Sequence, residues 1–269
     1  MRIRLPELRS RQRRFLLGLT LGFLTSAAVA IPVSLGYFSG YTGKLLDIYL
    51  WAQGRARAPE IVLVAIDDAA FQRLNERQPI PRDYLAAVIR GLRKSGARLI
   101  GMDVDLRRPT TRGDDRDLLA AIRAAPGDPA VLLVVARTLT AVPAPGGAVR
   151  FLPRQLYDSA LEADSGFAEV PKDEDGFFRR IPLVVPLSGK GYFPSLGLAM
   201  LARLGGQDAT ALARALAGAE PVELPVPAWD EARGSLAGDS PLRFFRDDDW
   251  KISFIGGSGS FLTIGSDAV

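Results

Sequence analysis

Apolar residues come in four kinds of run, and each predicts a different element. Residues 15–43 (FLLGLTLGFLTSAAVAIPVSLGYFSGYTG) carry no charge, and at 1.5 Å rise per residue such a run is long enough for one membrane-spanning helix. Residues 44–58 (KLLDIYLWAQGRARA) are amphipathic, with Leu45, Leu46, Ile48, Tyr49, Leu50 and Trp51 close together, and predict a helical stalk. Continuous apolar runs follow at residues 60–66 (EIVLVAI), 98–104 (RLIGMDV) and 130–136 (AVLLVVA). These predict strands covered on both faces, with 61–66, 99–104 and 131–135 as adjacent central strands. Between them, Tyr84, Leu85, Val88, Ile89 and Leu92 recur at helical spacing behind Pro81, with Gly96 to close, and residues 114–125 predict a second helix.

Strand, helix, strand, helix, strand implies right-handed crossovers and a parallel sheet. After residues 141–148 (AVPAPGGA) the pattern changes. Residues 166–170 and 177–185 predict a hairpin about the acidic turn at 172–176, residues 194–204 and 208–217 predict helices, and 242–245 with 252–255 predict a last strand pair. The fold class is therefore α/β: a mixed, largely parallel central sheet with flanking helices, behind one N-terminal transmembrane helix. The expected divisions are a basic segment 1–14, the span 15–43, the stalk 44–58 and an α/β domain 59–269.

Charge fixes the orientation of that arrangement. The first fourteen residues hold six arginines (Arg2, Arg4, Arg9, Arg11, Arg13 and Arg14) against Glu7 alone. Of 34 basic and 30 acidic residues in all, the remainder is balanced to within one charge, so no nucleic-acid partner is expected. The positive-inside rule places residues 1–14 in the cytoplasm, 15–43 in the lipid bilayer and the body outside. A cleavable signal peptide ending at Ala28-Val29-Ala30 is the competing reading, and it too exports the body.

The chain has no cysteine and no histidine. That excludes disulfides, thiolate zinc, iron–sulfur clusters, Cys nucleophiles, Ser-His-Asp triads and His-ligated metals. Ser195 has no base near it in sequence, the Asp247-Asp248-Asp249 triplet lacks the alternation of a calcium loop, and the glycines at 256–259 lack a P-loop lysine. No catalytic residue, metal or cofactor is assigned, and the chain is not expected to be an enzyme.

Two sets of residues remain as candidates. Asp67, Asp68, Asp103 and Asp105 stand at the carboxyl ends of the first two predicted strands, where open parallel sheets bind ligands. Oxygen ligands of that kind suit Mg²⁺ or Ca²⁺. The competing reading is structural, with Asp67 or Asp68 capping the next helix and Asp103 paired with an arginine. Leu46, Tyr49, Leu50 and Trp51 on the stalk form a candidate partner surface, for which packing on the chain's own domain is the alternative. Arg179 and Arg180, adjacent in a strand, should point to opposite faces.

Several segments together resemble the CHASE2 family, extracytoplasmic sensory domains of bacterial transmembrane receptors. They are residues 59–68 (PEIVLVAIDD), 79–83 (PIPRD), 95–103 (SGARLIGMD) continuing to Pro109, and 166–170, 175–183 (DGFFRRIPL) and 192–201 (YFPSLGLAML). The likeness spans residues 45–269 and implies a ligand-sensing α/β domain with a membrane span before it. It departs at Arg108, where the family has an acid, and at Ser253-Phe254-Ile255-Gly256, where it has Asn-Tyr-Arg-Gly. The family adds further spans and a kinase or cyclase, whereas this sequence stops at Val269. The leading expectation is accordingly a non-catalytic accessory or protein-interaction subunit of a larger membrane complex, respiratory or photosynthetic for example, held by integral membrane partners. The alternative is a CHASE2-like sensor module whose small-molecule ligand is unidentified.

Overall fold

In the computed structural model the described residues are 10–34, 39–53, 60–123, 132–162, 164–173, 175–189, 191–218, 221–230, 235–244, 249–251 and 261–269. The chain divides into two compact units, Met1–Gly54 with Asp173–Phe177, and Arg55–Lys172 with Phe178–Val269.

The first unit contains helices α1 (Ser10–Ser34) and α2 (Ser39–Gln53). The uncharged run 15–43, expected as a single helix, falls on both α1 and α2, and residues 35–38 between them lie outside the described set. Pro32 lies inside the last turn of α1, where it lacks the N–H that a continuing helix needs. Among the described residues no helix is long and apolar enough to cross a membrane. Large apolar side chains of α1 are nonetheless exposed on every side of it, among them Phe15, Leu17, Leu19, Val29 and Ile31. The stalk begins within α2, and its residues 54–58 lie outside the described set. In the same unit the acidic turn closes through Gly176 N–H to the Asp173 carbonyl at 2.9 Å, with Gly176 at φ 84.

The second unit is built on a parallel sheet of three strands, β2 (Leu99–Met102), β3 (Leu132–Arg137) and β6 (Ser165–Phe167). Alternation along β3 sends Leu133 and Val135 to one face and Val134 to the other. The first face carries α4 (Arg82–Lys94) and α5 (Arg112–Arg123), with Leu85, Ile89, Leu106 and Leu118 buried between helix and sheet. The second carries α6 (Leu196–Leu204) and α7 (Ala209–Leu216), whose Leu198, Ala202, Leu212 and Leu216 meet Val134 and Leu224. The layer is tight: a Cβ on Gly166 would lie 2.7 Å from the backbone of Ser195 and Leu196.

Smaller sheets surround this core. Strand β1 (Val62–Ala65) pairs in parallel with β13 (Leu262–Gly265), preceding the short helix α3 (Asp68–Arg73). Antiparallel pairs join β4 (Leu139–Pro143) to β5 (Val149–Pro153), β8 (Val184–Pro186) to β9 (Tyr192–Pro194), and β10 (Val222–Asp230) to β11 (Ser235–Phe244). One more joins β7 (Arg180–Pro182) to β12 (Asp249–Lys251).

Three sequence expectations are corrected by these pairings among the described residues, and a fourth lies partly outside them. The sheet is not one large mixed layer but a three-stranded parallel core with two-stranded satellites. The run at 61–66 is not central: β1 takes β13 as its partner, and Ile61, Val62 and Leu63 stay exposed. The hairpin about the acidic turn does not form, since β6 joins β3 and β7 joins β12. Residues 242–244 pair with β10, while 252–255 lie outside the described set.

Candidate functional site

The carboxyl ends of the parallel strands carry organised polar chemistry. At the end of β1, Asp67 is the N-cap of α3, its Oδ1 accepting from the Ala70 N–H at 2.8 Å, and Asp68 opens the helix. At the end of β13, Ser266 Oγ and Tyr84 Oη are 2.6 Å apart, which ties that strand to α4. Asp267 beside it is ion-paired with Arg73 of α3, and this hydrogen bond holds the Asp267 carboxyl below the usual range. A Cβ on Gly265 would lie 2.6 Å from Asp267 Oδ1 and 3.8 Å from Asp67 Oδ2.

At the end of β2 the chain makes a loop, residues 103–110, that is pinned from several sides. Leu106 is fully buried in the first core, and its carbonyl accepts from the Tyr157 N–H at 2.9 Å. Asp105 Oδ1 accepts from the Arg107 backbone N–H at 3.0 Å and from Arg107 Nε at 2.8 Å. Thr110 donates from its N–H and its hydroxyl to Asp115 in the first turn of α5.

Beneath the loop lies Arg82, the first residue of α4, with no exposed surface. Its Nη2 donates to the carbonyls of Asp105 at 3.2 Å and Arg108 at 3.1 Å, and its guanidinium carbon is 5.6 Å from the centre of the Tyr157 ring. Burial lowers the Arg82 pKa, against raising contributions from Tyr157, Asp115 and Asp105. Burial likewise pushes the Tyr157 hydroxyl up to about 12, with Asp115 adding to it.

Of the expected acidic set, Asp67 takes the capping role. The arginine pairing belongs to Asp105 and Arg107 rather than to Asp103. All four of Asp67, Asp68, Asp103 and Asp105 are exposed. Among the described residues no three acids are grouped so as to hold a metal ion. Ser195 is a buried N-cap, its Oγ accepting from the Leu198 N–H at 3.2 Å. Arg179 is buried and Arg180 exposed, although only Arg180 lies in a strand, β7. On α2 the partner surface is split: Tyr49 and Trp51 are exposed beside Leu45 and Ile48, whereas Leu46 and Leu50 are half-buried.

Arg82 is the residue that sequence reasoning passed over, and its signal was present. The buried positions of α4 are 82, 85, 86, 89 and 93, so the apolar stripe extended one step back falls on an arginine.

The Asp105–Arg107 clasp has a measurable consequence. Its hydrogen bond lowers the Asp105 pKa from the ordinary 3.8 to about 2. A depressed carboxylate pKa contributes stability that is complete above the ordinary value and is lost as pH falls through about 2. With the Asp105 side chain 54% exposed, solvent screening keeps that contribution below about 1 kcal/mol. Carbon-detected NMR of the Asp105 carboxylate should give a midpoint near 2, moving toward 3.8 in Arg107→Ala. An unmoved midpoint would show that Arg107 is not its cause.

A family model described as CHASE2 domain matches residues 24–256 of the chain. Comparisons with curated proteins and with solved structures give no match.

Proposed function

Because the chain belongs to the CHASE2 domain family, a family of extracytoplasmic sensory domains, we propose that it is a non-catalytic sensor module carried outside the cytoplasmic membrane. The family match carries this reading. The accessory-subunit role expected from the sequence has no comparable support, and the sensor alternative fits better. The strand-end loop 103–110, with a buried cation beneath it, is the polar feature best suited to take a ligand from outside.

Membrane attachment is part of the proposal. It rests on the uncharged run 15–43, the six arginines before it and the apolar side chains exposed around α1. Sensing then requires a path inward, supplied by an integral membrane partner or by an output domain on the same polypeptide. In either case the exposed apolar and aromatic residues of α2 are the surface nearest the charge-free run in sequence.

A chimera tests the sensor role. Residues 1–269 are joined to the membrane spans and adenylate cyclase of another CHASE2 receptor, and cyclic AMP is measured while only the external medium changes. Output should vary with medium composition at constant protein level. Constant output across defined changes of anion, pH and carbon source would sink the sensor reading.

A further inference from the structure

Arg82 is a buried cation with no carboxylate in ion-pair contact. Its Nη2 is occupied by two carbonyl oxygens, but Nε and Nη1 are closed off from solvent and make no hydrogen bond. The carboxylates that act on it do so without touching it: Asp105 is paired with Arg107, and Asp115 accepts from Thr110. A desolvated guanidinium held this way carries a large penalty that an anion would remove.

Its place in the fold points the same way. Arg82 opens a helix of thirteen residues, and helical side chains lean back toward the N-terminus, so its head lies over the start of α4. At that start the N-cap is Pro81, which offers no side-chain cap, and in the first turn Asp83 Oδ1 accepts from the Tyr84 N–H at 2.8 Å. The positive end of the helix and an unpaired guanidinium therefore coincide. Tyr157 supplies one wall, and the segment 107–110 covers the site with Arg107, Arg108 and Pro109 turned to solvent.

We propose that Arg82 is the receptor group for a small oxyanion, the carboxylate or phosphate group of an external solute, which binds between the start of α4 and the 103–110 loop. The proposal deepens the sensor reading by naming a ligand class, and it rests on that reading for its biological purpose. An incoming oxygen takes the free Nε and Nη1 hydrogens. Entry requires residues 107–110 to lift, while Leu106 keeps the loop rooted in the core.

The test uses the purified full chain in detergent with sodium acetate and inorganic phosphate as probes, and sodium chloride at equal ionic strength as the control. One probe should raise Tm saturably and shift the Nε resonance of Arg82 in arginine-labelled protein, and the responding probe separates a carboxylate from a phosphate source. Arg82→Lys keeps the charge but lacks the planar fork, and should weaken the response at least tenfold. If that variant does not fold, the wild-type Nε resonance decides alone. A response to chloride equal to that of the probes, or none to either probe, overturns the proposal. Binding with a silent chimera would leave the site standing without the sensor reading, and a responsive chimera with an unmoved Arg82 would do the reverse.

Discussion

Val135→Asp should abolish the fold of the second unit. Val135 is 1% exposed in β3, paired with Met102 of β2 on one side and Ser165 of β6 on the other. Its side chain enters the apolar cluster of Ile100, Leu118 and Leu133. A carboxylate there has to ionise without solvent or take up a proton at the cost of a large pKa shift, several kcal/mol in either case. Against a total stability of about 5–15 kcal/mol, that loss together with the lost valine packing is decisive. Val64→Asp provides the control. Reading the sequence as strands buried on both faces makes the two changes equivalent, but Val64 lies on the half-exposed strand β1. Circular dichroism of the purified full chain should show no cooperative melt for Val135→Asp and a lowered but intact melt for Val64→Asp. Equal, intact melts would refute the central place of β3.

That contrast shows how far the sequence could be read. Helices α4, α5, α6 and α7 were legible because a stripe at helical spacing, bounded by Pro81, Ser195 or Asp208, is a local signal. Strands β2 and β3 were legible too, being the apolar runs on either side of α5. The partner of β1 was not, because a run such as EIVLVAI reports that a segment is apolar and not what covers it. Its actual partner, β13, begins at Leu262, two hundred positions along the chain from Val62. The β10–β11 ladder was hidden by Pro225, Pro227 and Pro241, residues that demote a strand in any local reading although a two-stranded ribbon tolerates them at its edges and, for Pro227, at the break in register between Val226 and Ala228. The four strand-end aspartates were found by type and position. What distinguishes them, a cap at Asp67 and a clasp at Asp105, depends on loop geometry that spacing does not encode. Arg82 was overlooked for the opposite reason: its spacing was plain, but its charge argued for solvent.

Under the proposed membrane attachment, replacing the six N-terminal arginines with glutamine should reverse the orientation of the chain. In the native sequence they face only Lys44, Arg55 and Arg57 within fifteen residues of the other end of the uncharged run, so the larger positive count lies on the N-terminal side. The rule acts on lysine and arginine near the ends of a hydrophobic run rather than on net charge, so Asp47 and Glu7 contribute little. After replacement the bias is inverted, with none before the run and three after it. A phosphatase that is active only outside the cytoplasm, fused after Val269, should be active on the native chain and largely lose activity on the variant. A cytoplasmic reporter at the same position should behave in the opposite sense. If both fusions instead read as external before and after the change, the arginines do not set the orientation, and export rests on the apolar run alone. If the native fusion reads as cytoplasmic, the strand-end loop and Arg82 face the wrong compartment for an external signal, and the sensor reading falls with them.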